Sequence, residues 1–286
     1  MRTILYSFIA IFIFGIMQPA FTNKAPKQNF ILIQTTDPGV TAQKLEQSAK
    51  IITCRLTDFS SEKFDVKIVP GKNSIQVTSA NIIDLKMVEN LISHKGEMAF
   101  YETYTRSSLK ELLHEHSPLF SLLPEKGSHT GDARIGCVPA ESVNKIEECL
   151  KTIGTVINCQ FAWDNSFEDK EICLYALKTS NENGAVITGS DIESVSCNQD
   201  KTSNVQEINV TLKKNAVELW ADVTKRNLNH AIAIVLDGKV LAAPVVRSEI
   251  TGGKCIITGN YTETEAKFIA ALGNNGELPL NFKVLK

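Results

Sequence analysis

The chain has 286 residues, of which 43% are hydrophobic and 22% are charged, a balance typical of a globular protein with one large domain or two small ones. Its 30 basic and 32 acidic side chains give a net charge of -2, and the lysines and arginines are scattered along the sequence. Proteins that bind nucleic acids carry basic residues clustered on one face, so we expect no nucleic-acid partner.

The N-terminus carries an apolar segment. Arg2 precedes an almost unbroken apolar run, Ile4–Met17. This run is short for a membrane-spanning helix, which needs about 20 residues, and has the length of the apolar region of a secretory signal. Residues 1–22 are therefore predicted to be either a cleaved signal peptide or a retained N-terminal membrane anchor. Both alternatives place the rest of the chain in the cell envelope, on the exported side of the membrane.

The next stretch of the chain predicts strands and helices in a defined order. An apolar strand precedes Asp37-Pro38, which is typical of a helix start, and Val40–Leu56 has the period of an amphipathic helix. Alternating apolar residues on both sides of Pro70-Gly71 predict a hairpin. A second helix over Leu85–Ile92 and a strand over Met98–Tyr104 follow. The order βαββαβ is typical of a ferredoxin-like unit and indicates an α+β fold.

The last third of the chain is equally regular, whereas residues 105 to 172 are less so. Asp237-Gly238 between two apolar runs is a strong signal for a tight hairpin turn. Thr262, with Glu265 three residues later, predicts a capping box that opens a helix through Leu272. The other predicted elements are a helix with Ala216, Leu219, Trp220 and Val223 on its apolar face, and strands at Ile208–Leu212, Ala231–Leu236, Val240–Val245, Lys254–Thr258 and Leu280–Leu285.

Little in the sequence indicates catalysis. The seven cysteines contain no CxxC pair, so we expect one or two disulfides, at least one free thiol and no redox motif. His114-Glu115-His116 lacks the pair of histidines four residues apart that a zinc protease needs, which leaves a metal hydrolase as an outside alternative. No phosphate-binding loop or nucleophile motif is present. We therefore expect a protein that is not an enzyme and that needs no metal and no cofactor.

Several spaced motifs in the last third resemble the first periplasmic domain of the SecD protein-export subunit family. In that family an apolar strand leads into Leu-Asp-Gly, and turns rich in glycine, a helix and a Gly-x-Leu-Pro segment follow. The corresponding segments here are Ile234–Gly238, Ala243-Pro244, Ile250–Gly253, Ile257–Gly259, Glu265-Ala266 and Gly276–Pro279.

The resemblance implies an architecture. It predicts a ferredoxin-like (βαββαβ) base made of residues 30–104 and 261–286, with an α+β head subdomain, residues 105–260, inserted into it. The membrane-channel region that follows this domain in the family has no counterpart in these 286 residues, so we expect a stand-alone form. The motif residues expected to have structural roles are Asp237, Gly238, Pro244, Gly252, Gly253, Gly259 and Pro279.

The resemblance also implies a function. It predicts a non-enzymatic accessory of protein export, which binds unfolded or translocating polypeptide and has the export channel or a separate membrane subunit as a further candidate partner. The alternative is a diverged envelope binding module that reuses the fold for another partner. The residues predicted to bind polypeptide are those of the head hairpin, Val240, Leu241, Val245, Val246 and Arg247.

Overall fold

The computed structural model describes residues 29–80, 84–114, 117–125, 131–164, 171–179 and 184–285. The helices in these ranges are α1 (Ala42–Phe59), α2 (Leu85–Ser93), α3 (Arg106–Leu113), α4 (Pro118–Leu122), α5 (Val143–Ile153), α6 (Val217–Arg226) and α7 (Glu263–Asn275). The strands are β1 (Asn29–Gln34), β2 (Phe64–Ile68), β3 (Ser74–Ser79), β4 (Met98–Glu102), β5 (Arg134–Pro139), β6 (Cys159–Trp163), β7 (Glu171–Lys178), β8 (Ile187–Thr188), β9 (Ile192–Gln199), β10 (Gln206–Leu212), β11 (Ile232–Leu236), β12 (Lys239–Ala242), β13 (Lys254–Thr258) and β14 (Lys283–Leu285).

The predicted signal peptide or anchor, residues 1–22, lies outside the described ranges. Among the residues that are described, none of the helices has both the length and the apolar character that a membrane span requires.

The base sheet is antiparallel, with the strand order β14-β1-β3-β2. Ile33 lies opposite Ile75 in its register, and both side chains are fully buried because this face of the sheet packs against α1 and α2. Helix α1 begins at the Thr41 cap, whose side chain accepts a hydrogen bond from the Lys44 amide. Its buried positions Leu45, Ile52 and Leu56 follow the helical period that the sequence showed.

The predicted fourth strand of the base lies in another sheet, so the βαββαβ prediction for residues 30–104 is wrong in its last strand. Strand β4 sits between β11 and β8, in a sheet of order β12-β11-β4-β8, with Phe100 opposite Ile234. The physical reason is that Met98, Ala99 and Phe100 are buried in succession, so both faces of the strand are covered. In the base sheet it is β14 that pairs with β1. The α+β class itself is confirmed.

A third sheet, β13-β10-β9, packs against α7 and completes the largest hydrophobic core. That core includes Ile33 of β1, Phe100 of β4, Trp220 of α6 and Leu272 of α7. It therefore crosses both boundaries of the predicted head, 104/105 and 260/261. The division of the chain into a base and a head stays a prediction.

The remaining sheet, β5-β7-β6, packs with α3, α4 and α5 around its own apolar cluster. Cys137 of β5 lies directly opposite Cys173 of β7, and the two form a disulfide. Arg106 of α3 is buried nearby and donates to the carbonyl oxygens of Ile135, Phe120 and Leu123. The other five cysteines are free, so the chain has one bridge.

Removing this disulfide is expected to destabilise the protein. The bridge joins residues 36 positions apart, and in the chain-entropy account a cross-link of that span contributes about 2–4 kcal/mol. We expect the double variant Cys137→Ala/Cys173→Ala to lose that amount of unfolding free energy in urea titrations under oxidising conditions. Cys54→Ala, at an exposed free cysteine on α1, is the matched control and should change stability by less than about 0.5 kcal/mol. Equal midpoints for the double variant and the unchanged protein would contradict the prediction.

Candidate functional site

The turn between β11 and β12 is the best-defined feature of the motif region. Asp237 and Gly238 both adopt positive φ, 49° and 75°, as the two central residues of a tight hairpin turn of the primed type require. The Asp237 carboxylate accepts the Glu97 amide at 2.8 Å and contacts His94 Nδ1 at 2.9 Å. The Asp237 amide in turn donates to the Glu97 carbonyl at 2.9 Å. The turn is thereby attached to the segment between α2 and β4, which gives Asp237 a positioning role.

Close packing accounts for two of the predicted structural glycines. A Cβ on Gly253 would lie 2.6 Å from Val217 Cγ2, and its φ of 61° is in the left-handed region. A Cβ on Gly259 would lie 2.7 Å from the Tyr261 ring. Gly252 faces open space, so no contact explains it. Pro244 accepts the Ile232 amide through its carbonyl, and Pro279 lies between the buried Leu278 and Leu280.

Arg55 is a buried cation that sequence reasoning missed. Its guanidinium donates to four main-chain carbonyls, those of Leu91, His94, Lys95 and Gly276, at distances from 2.6 to 3.3 Å. Burial lowers its pKa to about 10, so the side chain stays charged at neutral pH. The contacts join α1 to the C-terminal ends of α2 and α7. In the sequence, the one indication that Arg55 is buried was its position on the apolar stripe of α1, one residue before Leu56.

An apolar groove of about 460 Å³ opens between α6, β11, the irregular segment 244–250 and β13. We call it the Trp220 groove. Its apolar floor includes Trp220, Ile232 and Ile234, and Trp220 packs edge-on against Phe100 with 5.5 Å between the ring centroids. The lining residues are Trp220, Ile232, Ile234, Pro244, Val245, Val246, Arg247, Ser248, Ile250, Lys254, Cys255 and Ile256.

The structure brings three of the five predicted binding residues to this groove. Val245, Val246 and Arg247 line it, although Val246 is only 8% exposed. Val240 is buried in a separate cluster on the other side of the hairpin. Leu241 is half-buried, and its carbonyl accepts the Tyr261 hydroxyl at 2.8 Å. The groove also contains residues that were not predicted, on α6, β11 and β13.

Strand β13 forms one wall of the groove and is an edge strand. It pairs with β10 on one side, and no strand in the described part of the chain pairs with the other side. Ile256 of this strand is 52% exposed. An edge strand presents main-chain donors and acceptors that another extended chain can pair with.

The groove is lined mainly by apolar side chains, with two cations and one thiol. Its one thiol, Cys255, has a pKa raised by burial to about 12, so it stays protonated and is a poor nucleophile at neutral pH. Within the described ranges, no three His, Cys, Asp or Glu side chains are placed to hold a metal ion. His114 lies at the exposed end of α3, and the other two residues of the His-Glu-His motif, 115 and 116, lie outside the described residues.

The part of the chain that contains the groove is similar to a known protein family. The family model of the SecDF P1 head subdomain matches residues 169–280. SecD of Acidaminococcus fermentans is 37% identical over 105 residues, which is 37% of this chain and 25% of that protein. SecD of Calditerrivibrio nitroreducens is 25% identical over 246 residues, which is 85% of this chain and 40% of that protein. The chain therefore spans well under two thirds of the length of these curated relatives.

Solved structures agree on the fold. A crystal structure of SecDF in a super-membrane-facing form matches 90% of this chain and 29% of its own, with a TM-score of 0.56 and 20% identity. A second chain, from a structure of SecDF as a membrane component that enhances protein export, matches 90% of this chain and 98% of its own, with a TM-score of 0.50. The resemblance predicted from the motifs is confirmed: this chain is similar to SecD, and its residues 169–280 match the SecDF P1 head subdomain.

Proposed function

We propose that the chain is an accessory of protein export, on the periplasmic side of the cell envelope, that binds extended polypeptide in the Trp220 groove. The observation that carries the proposal is the free edge of β13 beside an apolar floor, inside the segment that matches the SecDF P1 head subdomain. The proposal requires binding and no catalysis.

The physical basis is strand addition. A polypeptide that has not yet folded exposes both main-chain hydrogen-bonding groups and apolar side chains. An edge strand pairs with the main-chain groups of such a polypeptide. Pockets beside the strand accept every second side chain, and apolar pockets favour apolar side chains. Strand β13 offers five residues for such pairing, and Ile232, Ile234 and Trp220 offer the apolar floor. Both features act without regard to a particular sequence, which suits a protein that handles many clients.

An in-cell crosslinking experiment tests the function. A photoreactive residue placed at Ile256 projects from the groove wall, whereas Val246, one of the five predicted binding residues, is too buried to report on an occupant. Ile157, which is 80% exposed and lies between α5 and β6 away from the groove, is the matched control. We expect the residue at Ile256 to crosslink to many secreted chains in transit or to the export channel. The residue at Ile157 should give no such crosslinks. If Ile256 captured only a single unrelated envelope protein, the export role would be rejected, and the chain would instead be a diverged binding module for that protein.

Loss of the exposed isoleucine on β13 is expected to weaken polypeptide binding. Ile256→Ser removes apolar surface that an occupant would cover, so the affinity for a reduced and alkylated, permanently unfolded reporter protein should fall about fivefold to tenfold. Ile157→Ser, the same change at a more exposed isoleucine, should leave the affinity unchanged. Fluorescence anisotropy of the labelled reporter measures both. Equal losses in the two variants would show that the groove is not the binding surface.

A further inference from the structure

The charges that line the Trp220 groove have one sign. Its charged lining residues are Arg247 and Lys254, and both are exposed cations. Neither forms an ion pair within the part of the chain that the structure describes. The nearby carboxylate of Glu249 lies outside the lining and faces Lys225 at 3.9 Å. The groove therefore presents two uncompensated positive charges beside an apolar floor.

The groove also contains a hydrogen-bond donor without an acceptor. Trp220 is 3% exposed, and its indole Nε1 is buried with no partner among the described residues. Trp163, the other tryptophan of the chain, donates to Glu147 Oε1 at 2.7 Å. Buried donors in folded proteins are nearly always paired, but this one lies below the accessible surface, so the two cations rather than the indole N–H carry the recognition of an occupant.

We propose, resting on the polypeptide-binding function above, that the groove prefers extended segments in which Asp or Glu stands next to apolar residues. The apolar side chains cover Ile232 and Ile234, and the carboxylate lies between Arg247 and Lys254. A segment with lysine in place of the acidic residue meets two like charges and is disfavoured.

Three peptides separate this preference from polypeptide binding in general. They share one apolar core and differ only in their flanking residues, which are glutamate, glutamine or lysine. The full chain carrying Trp163→Phe keeps Trp220 as its single tryptophan, so the emission of Trp220 reports occupancy directly. Anisotropy of the labelled peptides with the unchanged chain gives the same affinities independently. We expect the glutamate peptide to bind about fivefold more tightly than the glutamine peptide, and the lysine peptide to bind most weakly. The differences should shrink as salt is added.

A paired charge variant completes the test. Arg247→Gln/Lys254→Gln should abolish the preference, so that the glutamate, glutamine and lysine peptides bind this variant with equal affinity, because the two cations that distinguish the peptides are gone. Lys50→Gln/Lys214→Gln, at two exposed lysines outside the groove, should keep the preference. Equal affinities for the glutamate and glutamine peptides, or a preference that survives in the groove variant, would overturn the inference and leave polypeptide binding standing. If the peptides do not bind and the unfolded reporter does not bind either, polypeptide binding fails as well.

Discussion

Arg55→Met is expected to lower the free energy of unfolding by about 3–5 kcal/mol. The substitution keeps much of the aliphatic volume and removes the guanidinium that four carbonyl oxygens share. Each buried acceptor left without a donor is costly, and removal of one side of a buried charged network typically costs this much. The loss should be cooperative, since the contacts hold α1, α2 and α7 together in a single core.

Denaturant unfolding, followed by circular dichroism, measures the effect of the Arg55 substitution. Lys50→Met is the matched control, because Lys50 is an exposed cation on the same helix and its side chain has no hydrogen bond to any residue that the structure describes. We expect the control to remain within about 0.5 kcal/mol of the unchanged protein. Overlapping unfolding curves for the two variants would show that the buried guanidinium does not contribute to stability.

Phe100→Ala is expected to cost about 3–5 kcal/mol, the range for truncation of a buried aromatic side chain. Phe100 is fully buried at the centre of the β12-β11-β4-β8 sheet and packs edge-on against Trp220. The substitution therefore also leaves a cavity below the groove floor. We expect the affinity for the unfolded reporter protein to fall even at temperatures where the variant remains folded.

Phe30→Ala provides the same chemical change at a side chain that is 65% exposed on β1. Its unfolding free energy should change by less than about 0.5 kcal/mol, and its reporter affinity should not change. Calorimetric unfolding and anisotropy measure both quantities. A loss at Phe30 as large as that at Phe100 would mean that packing beneath the groove is not what stabilises this region.

Turns, helix caps and helices could be predicted wherever the sequence pattern involves residues close together in the chain. The capping box of α7 is present, with Thr262 Oγ1 accepting from the Glu265 amide and Glu265 Oε2 accepting from the Thr262 amide. The Asp237-Gly238 turn and the apolar stripe of α1 are also local patterns, and the structure contains both. Each depends on residues fewer than about five positions apart or on a single helical period.

Strand partners could not be predicted in the same way. The apolar run Met98–Phe100 indicates a strand but says nothing about which strand lies beside it, and its partner β11 begins only at Ile232. The same limit applies to the groove, where Val240 and Val246 are both apolar hairpin residues yet lie in different clusters. Arg55 was missed because a cation on an apolar stripe reveals its role only when its acceptors, near residues 91–95 and 276, are in place.

The pairing of β1 with β14 has a consequence for how the chain folds. Leu32 lies opposite Leu285, so the first and last described strands are neighbours in space, and the base sheet has a high contact order. Because synthesis runs from the N-terminus, the edge of β1 that pairs with β14 stays open until β14 has been made. Closing so long a loop is entropically slow, so we expect the base sheet to be completed late, after the hairpin β11–β12 has formed. That delay leaves one edge of β1 exposed to chaperones and to other chains after its other edge can already pair with β3.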